Sequence, residues 1–154
     1  MSDNGKVIIY ADGGCKPNPG PGGWAALLIF GDQHKALSGG KLDTTNNQME
    51  LTGAIRALEA LNRPCEVEFY TDSQYLRRGI TEWITKWRKN GWQTTNKQPV
   101  LNQGLWRRLD ELNAQHKISW RWTKGHAGDR YNEQVDQLAT EARERLLNGH
   151  SQAR

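Results

Sequence analysis

Four carboxylates stand at the joints of this chain: Asp12, Glu50, Asp72 and Asp136. Asp12 ends the apolar run Val7-Ile8-Ile9-Tyr10-Ala11, and Asp72 ends Val67-Glu68-Phe69-Tyr70-Thr71. Glu50 and Asp136 lie in segments of helical periodicity. A charge beside an apolar stretch is costly unless something compensates it. If two strand ends and two helices bring these groups together, their repulsion calls for cations. Carboxylate oxygens favour hard ions such as Mg²⁺ or Mn²⁺, with octahedral coordination and some waters retained. Two such ions about 4 Å apart are the usual device for cleaving phosphodiesters.

Each carboxylate also has a structural use when taken alone. Asp12 precedes Gly13-Gly14 and suits a turn. Glu50 suits the start of a helix through the macrodipole, and Asp72 suits an N-cap ahead of Ser73. Asp136 could be one charge on a solvated helix face. His126 sits among glycines in Lys124-Gly125-His126-Ala127-Gly128, ten residues before Asp136, and a lone histidine there has a surface or structural reading as well.

The elements that must position these groups are legible in outline. Lys6–Asp12 reads as a buried strand, Trp24–Phe30 as a second after a Gly/Pro turn, and Leu37–Leu42 as a weaker third. No long crossover joins them, which predicts an antiparallel meander. Asn46 or Thr45 reads as the N-cap of a helix carrying Leu51, Ile55, Leu58 and Leu61, which stops before Pro64. Glu66–Thr71 is a fourth strand. Short helical stretches follow from Ser73 to Asn90, with Gly91 as C-cap, and Asn102–Gln115 is amphipathic. Ile118–Thr123 alternates as a fifth strand, before a final helix with Val135, Leu138, Ala139, Ala142 and Leu146 on one side. Antiparallel strands followed by strands alternating with helices predict an α/β fold with a mixed sheet. One domain over residues 1–154 is expected, with a loose tail after Leu147.

The formal net charge of +4 is unevenly placed. Residues 1–79 hold 8 Lys/Arg against 9 Asp/Glu, and residues 80–154 hold 13 against 8. A basic lobe beside an acidic site suits a polyanion gripped in one place and cut in another, although a basic surface also serves solubility alone. Trp83, Trp87, Arg88, Lys89, Trp92 and Lys97 form an aromatic–basic cluster, with packing as the alternative use of its tryptophans. Cys15 and Cys65 form no metal pattern, which suggests a reducing compartment. The polar N-terminus resembles no signal peptide and no apolar run approaches a membrane span, so a cytoplasmic protein with no membrane partner is expected.

Five segments in order carry a resemblance: Tyr10-Ala11-Asp12-Gly13-Gly14-Cys15, Thr44-Thr45-Asn46-Asn47-Gln48-Met49-Glu50, Thr71-Asp72-Ser73-Gln74, Thr123-Lys124-Gly125-His126, and Asn132-Glu133-Gln134-Val135-Asp136. They resemble the ribonuclease H family, and the length resembles its bacterial type 1 (ribonuclease HI). The resemblance spans residues 5–147. It implies a ribonuclease H-like fold, a five-stranded mixed sheet of order 3-2-1-4-5 flanked by helices, with a basic handle insertion at about residues 81–100. It implies endonucleolytic hydrolysis of the RNA strand of RNA/DNA hybrids with two Mg²⁺ ions, Mn²⁺ as an alternative, on Asp12, Glu50, Asp72 and Asp136. His126 would be a proton shuttle or product-release residue. Cys15, Asn18, Asn46, Asn47 and Gln74 would line the minor groove of the hybrid, and Thr45 would bind a DNA phosphate. Trp83, Trp87, Arg88, Lys89 and Lys97 would be the handle that grips the DNA strand, and a monomer is expected.

Two departures from the family pattern stand out. Asp43 occupies a place where bacterial relatives often carry a basic residue, and Gln93, Gln98 and Leu101 stand where lysines are common. A 3′–5′ exonuclease of the same superfamily and a hybrid-binding module without activity are the competing readings. Asn46-Asn47, Gln74 and the handle argue against the first, and the four retained carboxylates against the second.

Overall fold

The computed structural model describes residues 6–123 and 130–152. Five strands form one sheet in the order β3-β2-β1-β4-β5. They are β1 (Lys6–Cys15), β2 (Gly20–Phe30), β3 (Gln33–Thr44), β4 (Glu66–Thr71) and β5 (Lys117–Trp122). The first three make the expected antiparallel meander, while β4 runs parallel to β1 and β5 parallel to β4. All three meander strands are longer than their apolar stretches. β3 in particular runs from Gln33 to Thr44 although most of it is exposed, because its backbone bonds to β2 extend beyond the residues that bury side chains.

Helices cover both faces. α1 (Asn46–Glu59) and α4 (Gln103–Gln115) lie on one face, over Val7, Ile9, Ala11, Val67 and Phe69. α5 (Arg130–Gln152) lies on the other, where Val135 and Ala139 meet Ala25, Leu27 and Ile29 of β2. Burial on both faces explains why β2 reads as an unbroken apolar run, not an alternation. The loose tail expected after Leu147 is instead helical through Gln152, a stretch with no proline to stop it. Among the described residues, no helix is long and apolar enough to cross a membrane.

Between β4 and α4 the chain forms α2 (Gln74–Arg78), a π-helical turn over Gly79–Trp83 and α3 (Ile84–Asn90), with Gly91 closing α3 at φ 76°. Residues 91–102 then turn back, tied by Val100 N–H donating to Trp92 O at 3.1 Å.

Candidate active site

The site is assembled by register. Tyr10 of β1 faces Tyr70 of β4, and their rings stack with centroids 4.6 Å apart. Side chains two residues apart share a face of the pleat. Asp12 and Asp72, each two residues beyond its tyrosine, therefore leave adjacent parallel strands at one level. Tyr131 of α5 packs on Tyr10 at 5.4 Å and brings that helix to the same face, so that Asp136 arrives over Asp12. The two carboxyl groups are close enough to act on each other's proton, and both line one cavity.

Glu50 comes from the opposite side of the sheet. Gly13 makes this approach possible, since a Cβ there would fall on the backbone of Met49 and Glu50. Glu50 Oε1 accepts a hydrogen bond from Ser73 Oγ at 2.7 Å. Ser73 is buried and also caps α2, with its Oγ accepting from Leu76 N–H at 3.0 Å. Ser73, not Asp72, is thus the N-cap, which leaves the aspartate free for the cleft. Asn132 of α5 donates to the Asp72 side chain. Ser73 and Asn132 escaped the sequence reading, although both lie inside the quoted segments. Neither residue type signals contact with a carboxylate distant in sequence.

Electrostatics marks the four groups as one unit. Burial, the hydrogen bond to Asp136 and the charges of Asp72 and Asp136 push Asp12 up to about 8. Burial and the Asp72 charge raise Glu50 to about 7, against the opposing pull of Ser73. Asp72 is raised too, by burial first and then by Asp136, while its hydrogen bonds oppose the shift. Asp12, which keeps its proton at neutral pH for want of positive charge, belongs to an oxygen donor set suited to hard cations. Among the described residues no three His, Cys, Asp or Glu side chains are gathered to hold a metal by themselves. That arrangement still fits Mg²⁺, which binds through one or two carboxylates, waters and substrate phosphates and seldom through an all-protein cage.

Beside the carboxylates lies a polar wall. Asn46 Oδ1 accepts from Cys15 N–H at 2.8 Å, and Asn46 N–H donates to Asn18 Oδ1 at 3.2 Å. Cys15 Sγ lies 3.3 Å from the same Asn18 oxygen. Cys15, Asn18 and Asn46 are therefore brought together. Thr45 proves to be the cap of α1, its Oγ1 accepting from Gln48 N–H at 3.1 Å. Asn47 is half-buried one residue further on, and Gln74 is exposed at the start of α2. His126 lies outside the described residues.

The handle residues divide by task. Trp83 and Trp87 are half-buried and meet Trp106, which is fully buried, with centroids at 6.4 and 5.6 Å. Packing is their main observed contact. Arg88 is held by both oxygens of Asp110 on α4, so its charge is already matched. Lys86, Lys89 and Lys97 are exposed and have no ion pair with a described residue.

The RNase H family model matches residues 4–144. The chain is 56% identical over 143 residues to a ribonuclease H of Halorhodospira halophila, covering 93% of this chain and 96% of that one. It is 59% identical over 136 residues to a ribonuclease HI of Caulobacter vibrioides, covering 88% and 91%. Among solved structures, LC9-RNase H1, a type 1 RNase H with the type 2 active-site motif, superposes with TM-score 0.80 at 30% identity, over 90% of this chain and 72% of that one. LC11-RNase H1 in complex with an RNA/DNA hybrid superposes with TM-score 0.64 at 25% identity, over 92% and 99%. Sheet order, the meeting of the strand-end carboxylates and these likenesses agree, and the chain belongs to the ribonuclease H family.

Proposed function

We propose that this chain is an endoribonuclease that hydrolyses the RNA strand of RNA/DNA hybrids and leaves 5′-phosphate and 3′-hydroxyl ends. The observation that carries the reading is the cavity that Asp12 and Asp136 share with the polar wall of Cys15, Asn18 and Asn46, with Glu50 held by Ser73 at its edge. Two Mg²⁺ ions, or Mn²⁺ in their place, would be held by Asp12, Glu50, Asp72 and Asp136, and would supply an acidified water and charge stabilisation at the leaving oxygen.

The chain's own groups do the rest. Ser73 and Asn132 hold Glu50 and Asp72 in place by hydrogen bonds. His126 moves a proton to or from the released product, a task for a group titrating near neutrality. Asn46 donates to the minor groove. Its Oδ1 is occupied by Cys15 N–H, which leaves its Nδ2 hydrogens to donate to 2′-hydroxyls and base acceptors. The protein works as a cytoplasmic monomer.

A labelled hybrid, duplex DNA and duplex RNA, each incubated with Mg²⁺, Mn²⁺ or EDTA, tests this reading. Internal cuts in the RNA of the hybrid alone, abolished by EDTA, are expected. Stepwise trimming from a 3′ end, or binding without cleavage, overturns it.

The handle yields a second expectation. Each cation that neutralises a phosphate adds about 0.7 to 0.9 to the slope of log affinity against log salt. With Arg88 matched by Asp110, the slope of this handle rests on Lys86, Lys89 and Lys97. Gln93 and Gln98 are exposed, and Gln98 uses its backbone, not its side chain, in the turn with Thr94. Gln93→Lys with Gln98→Lys should therefore fold normally and steepen the slope by roughly 1 to 2 units. KM should fall more than kcat rises, because such contacts serve ground and transition states alike. Steady-state cleavage across a salt series reads both quantities. An unchanged slope means the segment does not touch nucleic acid.

A further inference from the structure

The cavity that contains Asp12 and Asp136 has a volume of about 340 Å³ and is also lined by Lys16 and Arg143. Arg143 follows Asp136 by seven residues on α5, two helical turns and about 10 Å along the axis. Helical side chains tilt toward the N-terminus, so a residue at this spacing leans back toward the aspartate. The helix backbone at Arg143 is tightly seated, since a Cβ on Gly23 of β2 would stand 3.0 Å from Arg143 N.

Arg143 is half-buried, yet its guanidinium has no hydrogen bond or ion pair with any described residue. Several other cations of the fold are matched: Lys6 by Glu68, Arg88 by Asp110, and Arg108 by Glu59 and Glu111. No ion pair joins Arg143 to Asp12 or Asp136, although all three line one cavity. Space therefore separates the cation from the carboxylates. A ligand that fills it must be anionic toward Arg143 and Lys16 and must bring or tolerate cations toward Asp12 and Asp136. A nucleic-acid backbone entering a metal-loaded site meets both conditions, with one phosphate at the carboxylates and a neighbour at the arginine.

We propose that Arg143, with Lys16 of the same cavity, binds a phosphate of the RNA strand next to the one being cleaved. This subsite rests on the proposed hydrolysis of hybrids. It makes cleavage depend on an intact linkage beside the cut, so that Arg143 helps to set how close to an RNA end the enzyme can act.

The test compares wild type, Arg143→Ala and Arg143→Lys by steady-state cleavage across a salt series. The substrates are hybrids with one neutral methylphosphonate at successive RNA linkages around a single cleavable site. Arg143→Ala should raise KM roughly 5- to 20-fold, as loss of a charge-assisted contact does. It should flatten the salt slope by about 0.7 to 0.9. Arg143→Lys should keep the slope and lose part of the affinity, because a point charge replaces a bidentate fork. One neutral linkage adjacent to the cut should penalise wild type clearly more than Arg143→Ala, which keeps only the Lys16 contact. A packing role cannot produce that linkage-specific loss of additivity. An unchanged slope, or equal penalties in wild type and Arg143→Ala at every linkage, overturns the subsite. Failure of wild type to cut the unmodified hybrid overturns the hydrolysis reading instead.

Discussion

Asp12→Asn is expected to abolish metal-dependent cleavage of the hybrid while making the metal-free protein harder to melt. The substitution keeps the shape of the side chain and removes the charge nearest the centre of the carboxylate set. Charge stabilisation by a bound metal contributes several kcal/mol, and each 1.36 kcal/mol is tenfold in rate. The loss should therefore reach at least about 10³-fold. Stability moves the other way. Asp12 titrates near 8 in the fold against an ordinary value of 3.8, so between those limits the folded chain holds more protons than the unfolded one. Stability of the metal-free protein therefore falls as pH rises from the ordinary carboxylate range toward 8, and Glu50, raised to about 7, adds to the decline. Asparagine at position 12 removes the larger part. For a chain of this size 1 kcal/mol moves Tm by about 2–4 °C, and a rise of at least that size is expected at pH 8 in EDTA, with little difference at pH 4. Wild-type cleavage rates in Asp12→Asn at saturating Mg²⁺ would sink the metal-site reading. A lower Tm at pH 8 would show that the carboxylates do not repel one another.

Gly23→Ala should be the most damaging single methyl group on the α5 side of the sheet. The added Cβ would land on the Ala139 carbonyl, and backbone cannot step aside as a flexible side chain can. α5 would have to lift from β2, loosening the contacts of Val135 and Ala139 with Ala25, Leu27 and Ile29. Overpacking of this kind costs typically 1–3 kcal/mol and occasionally more, and about 3 kcal/mol is expected here. By the same conversion Tm drops by roughly 6–12 °C. Asp136 rides on the displaced helix, so cleavage should also weaken at temperatures where the variant remains folded, and raised Mg²⁺ should restore part of it. Thermal melts and a Mg²⁺ titration check both effects. A wild-type Tm would mean that α5 has room the structure does not show.

Much of this architecture was legible because its signals are local. Apolar runs ending in Asp12 and Asp72 marked the strands, Gly91 marked a helix end, and the absence of a crossover before Glu50 predicted the meander, whereas α1 stops at Glu59, short of Leu61 and Pro64. What escaped depends on partners distant in sequence. Nothing near Arg88 announces that Asp110, 22 residues on, takes its charge. Thr45 and Asn46 are equal candidates as caps until Cys15, 31 residues earlier, claims the Asn46 oxygen. Ser73 and Asp72 are likewise interchangeable as caps until Glu50 engages the serine. The exposed ends of β3 carry no apolar signal, because hydrogen bonds to β2 extend them.

The apolar interior is split by the sheet into two unequal clusters. The larger joins α1, α4 and the inner face of the strands around Ile9, Phe69 and Trp106, and the smaller lies beneath α5. Cooperative units open in order of the apolar contact that holds them. The α5 side should therefore be the weaker unit, its amide protons exchanging with solvent while those around Phe69 and Trp106 stay protected. Each such opening carries Asp136 and Arg143 away and leaves Asp12, Glu50 and Asp72 on the intact remainder. Catalytic competence is then a property of the least stable cooperative unit, and mild denaturant should silence the enzyme well before the chain as a whole unfolds.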